Sequence, residues 1–384
     1  MLLVTKIWEQ RKLGEIGKII AGGDKDSKKL RKKGKYPVLA NNLENNGIIG
    51  YYKNNYKIEA PAITVTARGN IGNAIARFTN FTPVVRLLVL KTNLDVKFIE
   101  QSINNINFFI ESTGVPQLTV PQLASYSIFI PKKFEQHKIG NLFKFIDNIV
   151  ALYERKFKLL SRVKKYFLDN LFAEKEYPNL RFKGFTNTWE KIKLKDTQTT
   201  LTDGNYANLY PKPTDMTDAD KGIPFLTGGN LKDGILDLKN AKYITKEKHS
   251  QLRSGHLEED DIVIAVRGSL GELGYVTKQN IDWNINSQLA IIRTSKNELI
   301  GNFLLYFFLS SKGKSKLLSR QTGTALKQLP LQQLKTIVIP KTLLLEQQKI
   351  SNILKTIDKT ISFYKDKQQH LAEIKNTLLN TMFI

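Results

Sequence analysis

The chain has 384 residues, with 59 Lys and Arg against 35 Asp and Glu, a formal charge of +24 and no cysteine. That length allows two or three domains with cores of their own. Its 41% hydrophobic and 10% aromatic content excludes a disordered chain, and the missing cysteine excludes disulfides and thiolate metal sites.

Near the start, Trp8-Glu9 is followed by Lys12-Leu13. A β-rich run, Tyr36-Pro37-Val38-Leu39-Ala40, comes next, and then Ile63–Gly72, which reads as a buried strand ending in an Arg68-Gly69 turn. A short helix is expected around Val96–Asn107. Ser112-Thr113-Gly114, a strand over Ser127–Pro131 and a long helix follow. The chain then repeats itself. Trp189-Glu190 with Lys193-Leu194, Ile223–Thr227, Ile262–Gly271 with its Arg267-Gly268, a helix around Asn302–Ser311, Gln321-Thr322-Gly323 and a strand over Thr336–Pro340 retrace the same plan. The second pass is longer by about thirty residues, as expected of globular parts that share a plan and differ in detail.

The match is tightest in the helices. Glu135-Gln136, Lys138, Ile146-Asp147, Tyr153, Leu160, Lys164 and Phe172 recur at one constant offset as Glu346-Gln347, Lys349, Ile357-Asp358, Tyr364, Leu371, Lys375 and Phe383. Ile139, Ile146, Tyr153, Leu160 and Phe167 are spaced by seven, as are Ile350, Ile357, Tyr364, Leu371 and Leu378. Leu142, Ile149, Val163, Ile353 and Ile374 fill the second seam, which Lys156 and Lys367 interrupt. Each helix would span on the order of 55 Å. The fold class expected is α+β: two pseudo-symmetric mixed α/β domains, each followed by a long helix, the two helices forming an antiparallel coiled coil. Packing of each helix on its own domain alone is the competing arrangement.

No Walker A loop, GxGxxG after a strand, or Asn/Asp-Pro-Pro-aromatic tetrapeptide is present. His137, His249, His256 and His370 are scattered without metal-ligand spacing, and Glu258-Glu259-Asp260-Asp261 reads as a turn before a strand. No catalytic residue and no metal ligand is therefore expected. The basic excess points to double-stranded DNA, since phosphates reward Lys and Arg regardless of sequence. Codon bias of an AT-rich genome would also raise Lys, but does not remove acidic residues. Without an apolar leader or a run long enough for a bilayer, a cytoplasmic protein without membrane partners is expected.

Arg68, Asn70, Arg267 and Ser269 are the leading DNA-contact candidates, because a neighbouring Gly admits a phosphate and Arg reads guanine bidentately. An Arg paired with a local acid in a hairpin is the equal alternative. Asn41, Asn42, Thr113, Gln117, Asn230, Gln321, Thr322 and Lys327 suit base or phosphate contact by residue type and by recurrence in both halves.

These features together resemble the specificity subunit of a type I restriction-modification system. The resemblance covers essentially the whole chain. It rests on Ile130-Pro131, Glu135-Gln136, Lys138-Ile139 and Ile146-Asp147 and their second set, Ile339-Pro340, Glu346-Gln347, Lys349-Ile350 and Ile357-Asp358. Leu180–Phe185 leading to Trp189-Glu190 looks like the usual lead-in to a target recognition domain, which the first copy lacks. The resemblance implies a first recognition domain over 1–133, a helical spacer over 134–178, a second recognition domain over 179–344 and a second spacer over 345–384. It also implies that each domain reads one half of an asymmetric interrupted target, with the helices setting the spacing and docking two modification subunits. S-adenosylmethionine, ATP and magnesium would belong to those subunits and to restriction subunits, with no cofactor on this chain. A divergent methyltransferase would instead bind S-adenosylmethionine itself, and a protein-binding scaffold would lack salt-dependent DNA affinity.

Overall fold

In a computed structural model, which describes residues 8–109, 115–172, 176–324 and 326–383, the chain divides into two compact units. The first comprises Met1–Arg155 with Tyr364–Ile384, and the second Lys156–Phe363. The division cuts each long helix, Lys133–Asn170 and Leu344–Met382, so each unit holds half of both.

In the first unit the β-branched runs build a four-stranded antiparallel sheet in the order Gly17–Ala21, Leu87–Thr92, Ala62–Thr66, Ala74–Arg77. Ala62–Thr66 is buried throughout, as its unbroken apolar and Thr run requires. The Val96–Asn104 helix packs on this sheet, its first turn capped by the Asp95 carboxylate, which accepts from the backbone of Lys97 and Phe98. A smaller sheet sets Ile48–Tyr52 and Thr82–Pro83 on either side of Tyr36–Leu39. Glu9–Lys12 pairs antiparallel with Ser127–Ile130, bringing the chain to the start of the first long helix.

The second unit repeats this in the order Thr200–Asp203, Leu289–Arg293, Ile262–Ala265, Leu273–Tyr275, again antiparallel. Its second sheet runs Met216–Thr217, Lys242–Ile244, Ile223–Leu226, Asn284–Ile285. The Gly301–Leu309 helix has no capping side chain of its own. Asp260, from the acidic cluster, accepts from the backbone of Gly301 and Asn302 instead. Asp261 beside it is buried and holds Arg293. The cluster is thus structural, as its sequence suggested.

Glu190–Lys193 pairs with Val338–Lys341 as Glu9–Lys12 does with Ser127–Ile130, and this register places Lys341 opposite Glu190 where Ile130 stands opposite Glu9. The similar Ile130-Pro131 and Ile339-Pro340 therefore do not occupy equivalent positions. The Gln side chains confirm it: Gln136 donates to the Pro131 carbonyl and Gln347 to the Thr342 carbonyl, each at 2.8 Å.

The helices run antiparallel. Within the first unit Tyr153 lies on Tyr364, ring centroids 5.6 Å apart, and Asp147 meets Lys375 at 2.6 Å. Within the second, Lys164 meets Asp358, also at 2.6 Å. These two ion pairs are one pair made twice by the repeat. Ile139, Ile146, Ile350 and Ile357 are buried in the helical seam, and Tyr153, Leu160, Phe167, Tyr364, Leu371 and Leu378 are half-buried. The second seam departs from the sequence reading at two positions. Leu142 and Ile374 are exposed and Phe143 is fully buried, whereas Ile149, Val163 and Ile353 are half-buried, as are the neighbouring Val150, Phe157 and Lys164. Lys164 and Lys375 are the lysines that reach an acid on the other helix. Adjacent apolar residues at 142 and 143 satisfy the period equally well, and only the partner helix chooses between them.

Helix ends complete the cores. Phe172 is buried against Phe303 and Phe307 in the second unit, while Phe383 packs on Trp8, Phe98 and Phe143 in the first.

Candidate nucleic-acid interface

Each unit ends its central buried strand in the same Arg-Gly turn. In the first, Gly72 donates its backbone N–H to the Thr66 carbonyl and Ile71 to Gly69; in the second, Gly271 donates to Ala265 and Leu270 to Gly268. Gly69 and Gly268 have φ of +71 and +73, conformations that L side chains rarely adopt, and open space surrounds the position of each missing Cβ. Backbone at these turns is therefore approachable from outside. Arg68 and Arg267 both project from an exposed position.

A second segment lies along each turn. Arg68 bridges Gln117, and Leu118 donates to the Ala67 carbonyl at 2.8 Å. Arg267 bridges Gln328, and Leu329 donates to the Val266 carbonyl at 2.9 Å. Gln117 and Gln328 share the constant offset of the helices, a signal present in the sequence that picked out only Gln117.

The surroundings of the turns differ. In the first unit Asn41 spends its amide on the turn itself, accepting from the backbone N–H of Ala67 at 2.6 Å and of Arg68 at 3.2 Å, and donating to the Arg68 carbonyl. It positions the turn rather than offering an amide outward. Asn42 is exposed and caps the backbone of Glu44, Asn70 is exposed, and Gln117 accepts from Arg86 Nη1. Arg68 has no side-chain hydrogen bond or ion pair among the described residues. Arg86 escaped sequence reading because its residue type does not recur: its counterpart, before Leu289–Arg293 as Arg86 is before Leu87–Thr92, is Gln288.

In the second unit Arg267 lies over the Tyr206 ring, 5.5 Å from its centroid, and donates to the Ser287 carbonyl at 3.3 Å. Tyr206 donates to Asp203 at 2.8 Å. Burial, then that hydrogen bond, pushes its hydroxyl pKa up and keeps it a donor. Neither Arg68 nor Arg267 pairs with an acid among the described residues, so the hairpin ion-pair alternative fails. Ser269 is exposed beside the Gly228 turn. Thr322 bridges Gln328 in a hairpin that also carries exposed Lys327, with half-exposed Gln321 leading into it.

Asn230 must be corrected. It is 2% exposed; its oxygen accepts from Thr227 backbone and hydroxyl, and its amide nitrogen donates to the Asp237 carbonyl. It builds a turn and is too buried to face a ligand. Thr113 lies outside the described residues.

The family comparison decides what carries this pair of faces. A sequence model described as "Type I restriction modification DNA specificity domain" matches residues 5–162 and 186–373. The chain belongs to this family. As a type I specificity family member it is 31% identical over 185 residues to a putative type I specificity subunit of Mycoplasma pneumoniae, a match covering 44% of this chain and 55% of that protein. It is 24% identical over 289 residues to a putative type I restriction enzyme specificity subunit of Methanocaldococcus jannaschii, covering 72% of this chain and 64% of the relative. The chain thus spans between half and two thirds of the length of these curated relatives. Its fold matches the crystal structure of a type I restriction-modification system S subunit from M. genitalium with a TM-score of 0.72, covering 100% of this chain and 98% of that one at 18% identity. Among the described residues, no helix is long and apolar enough to cross a membrane.

Proposed function

We propose that this chain is the DNA-recognition subunit of a type I restriction-modification complex, without catalysis of its own. The observation that carries this reading is the doubled Arg-Gly turn, built by identical backbone bonds and lined differently in the two units. One fold with two linings suits a target of two unlike halves. An exposed guanidinium beside an approachable glycine can read guanine or hold a phosphate, and the formal charge of +24 favours a phosphate backbone. The rigid helices, about 57 Å each at 38 and 39 residues, set the unread spacer between half-sites. Exposed Phe145, Leu152, Leu159 and Tyr166, spaced by seven on the first long helix, offer an apolar stripe for a docked modification subunit. Adenine N6 methylation, with S-adenosylmethionine, and ATP- and magnesium-dependent cleavage fall to modification and restriction subunits.

The test is a genome-wide map of N6-methyladenine in cells supplying the partner subunits with this chain, its Arg68→Ala variant or its Arg267→Ala variant. One interrupted asymmetric motif is expected with the parent, and each variant should relax or weaken one half-site only, by about 1–3 kcal/mol. A map that does not respond to the gene would overturn the reading. Loss of both half-sites from either variant would remove these arginines from base reading.

A further inference from the structure

Two of the four histidines, distant in character from any motif, meet in the second unit. His249, in the Lys246–Gln251 helix, and His256, in the following loop, pack edge to face with ring centroids 4.7 Å apart. Asp282, held at φ +65 in the turn before Asn284–Ile285, brings its carboxylate against both rings. His249 Nε2 lies 3.1 Å from Asp282 Oδ2, and His256 Nδ1 lies 3.3 Å from Oδ1.

The outer nitrogens of both rings are engaged as well. His256 Nε2 is 3.0 Å from the Leu252 carbonyl, which can only accept, so that nitrogen carries its hydrogen and Nδ1 is left facing Asp282. His249 Nδ1 lies against the side-chain amide of Asn284, which is fully buried, and Nε2 faces Asp282. One divalent ion would serve both inward nitrogens and the carboxylate at once.

We propose that His249 Nε2, His256 Nδ1 and the Asp282 carboxylate form a site for a divalent transition ion of the zinc class. The three ligand atoms lie within 4.8 Å of one another. The nitrogen–oxygen separations are close to the roughly 3.3 Å edge of a tetrahedron whose bonds are about 2.0–2.1 Å. Two imidazoles with one carboxylate suit zinc, cobalt or nickel rather than magnesium or calcium. Leu252 and Asn284 are outer partners of the kind that orient metal-bound imidazoles elsewhere in proteins. Water completes the coordination. The ion ties a helix, a loop and the Asn284–Ile285 strand together. That strand leads directly to Ser287, whose carbonyl takes Arg267, so the ion stiffens the platform of the Arg-Gly turn in this unit. Among the described residues, no such histidine–carboxylate group occurs in the first unit.

The experiment is titration of the full-length, chelator-treated protein with Co²⁺, read by visible absorption, followed by Zn²⁺ competition and thermal unfolding. One saturable Co²⁺ per chain is expected, displaced by Zn²⁺ but not by Mg²⁺, with a rise in unfolding temperature. Asp282→Asn, at a largely exposed side chain that can change without unfolding the unit, should weaken binding at least 10-fold. His370→Ala, in the exposed part of the second long helix, should leave it unchanged. Absence of saturable binding, or equal binding by Asp282→Asn and the parent, would overturn the site and leave a hydrogen-bonded cluster.

Discussion

The two units close the same lock with different force. In each, the Trp near the first strand donates its indole N–H to the Glu at the start of a long helix: Trp8 to Glu135 at 3.2 Å, Trp189 to Glu346 at 3.1 Å. The adjacent Gln ties the loop before the helix. In the second unit Arg181 adds a two-pronged contact to Glu346, at 2.7 and 2.9 Å, and Thr342 donates as well, leaving Glu346 wholly buried. Glu135 is half-buried, and no arginine reaches it among the described residues. A repeated motif therefore does not imply repeated energetics, because a buried carboxylate is worth what its donors make it.

The largest contrast should come from the helix-end phenylalanines. Phe172→Ala, at a fully buried site, should cost the second unit about 3–5 kcal/mol. Phe383→Ala, at a half-buried site, should cost the first unit roughly half that. Amide hydrogen exchange of each central sheet reads the units separately, and equal losses would break the comparison. Next, Glu346→Ala leaves Arg181 without its carboxylate and should destabilise its unit by about 3 kcal/mol, whereas Glu135→Ala should cost about 1 kcal/mol. Denaturant unfolding checks both, and a larger loss from Glu135→Ala would refute the ranking. Smallest, Lys164→Met and Lys375→Met each remove one copy of the same partly exposed ion pair. Each should shift stability by no more than about 1 kcal/mol, and by similar amounts. Unequal shifts at low salt would mean that the pairs are not equivalent.

Much of this was legible from residues alone. The constant offset between the helices announced the repeat, the seven-residue spacing announced their pairing, and the matching strand-turn runs placed Arg68 and Arg267 at corresponding corners. What stayed hidden was whatever depends on a partner in space. Leu142 and Phe143 are equally good seam residues until a second helix covers one of them. Asn230 looks like a polar surface residue until Thr227 and Asp237 consume its amide. Arg86, Tyr206 and the pairing of His249 with His256 and Asp282 come from loops whose lengths differ between the copies, so neither period nor repeat could flag them.

One packing detail bears on the order in which the molecule is made. Asn105 donates to the carbonyl of Phe383, 278 residues further along, and the Phe383 ring sits among Trp8, Phe98 and Phe143. At ribosomal speeds of about 5–20 residues per second, some 15–55 seconds separate the appearance of those partners. The first unit is thus the first to emerge and the last to be finished. Until Phe383 is made, the site among Trp8, Phe98 and Phe143 lacks the ring that completes it.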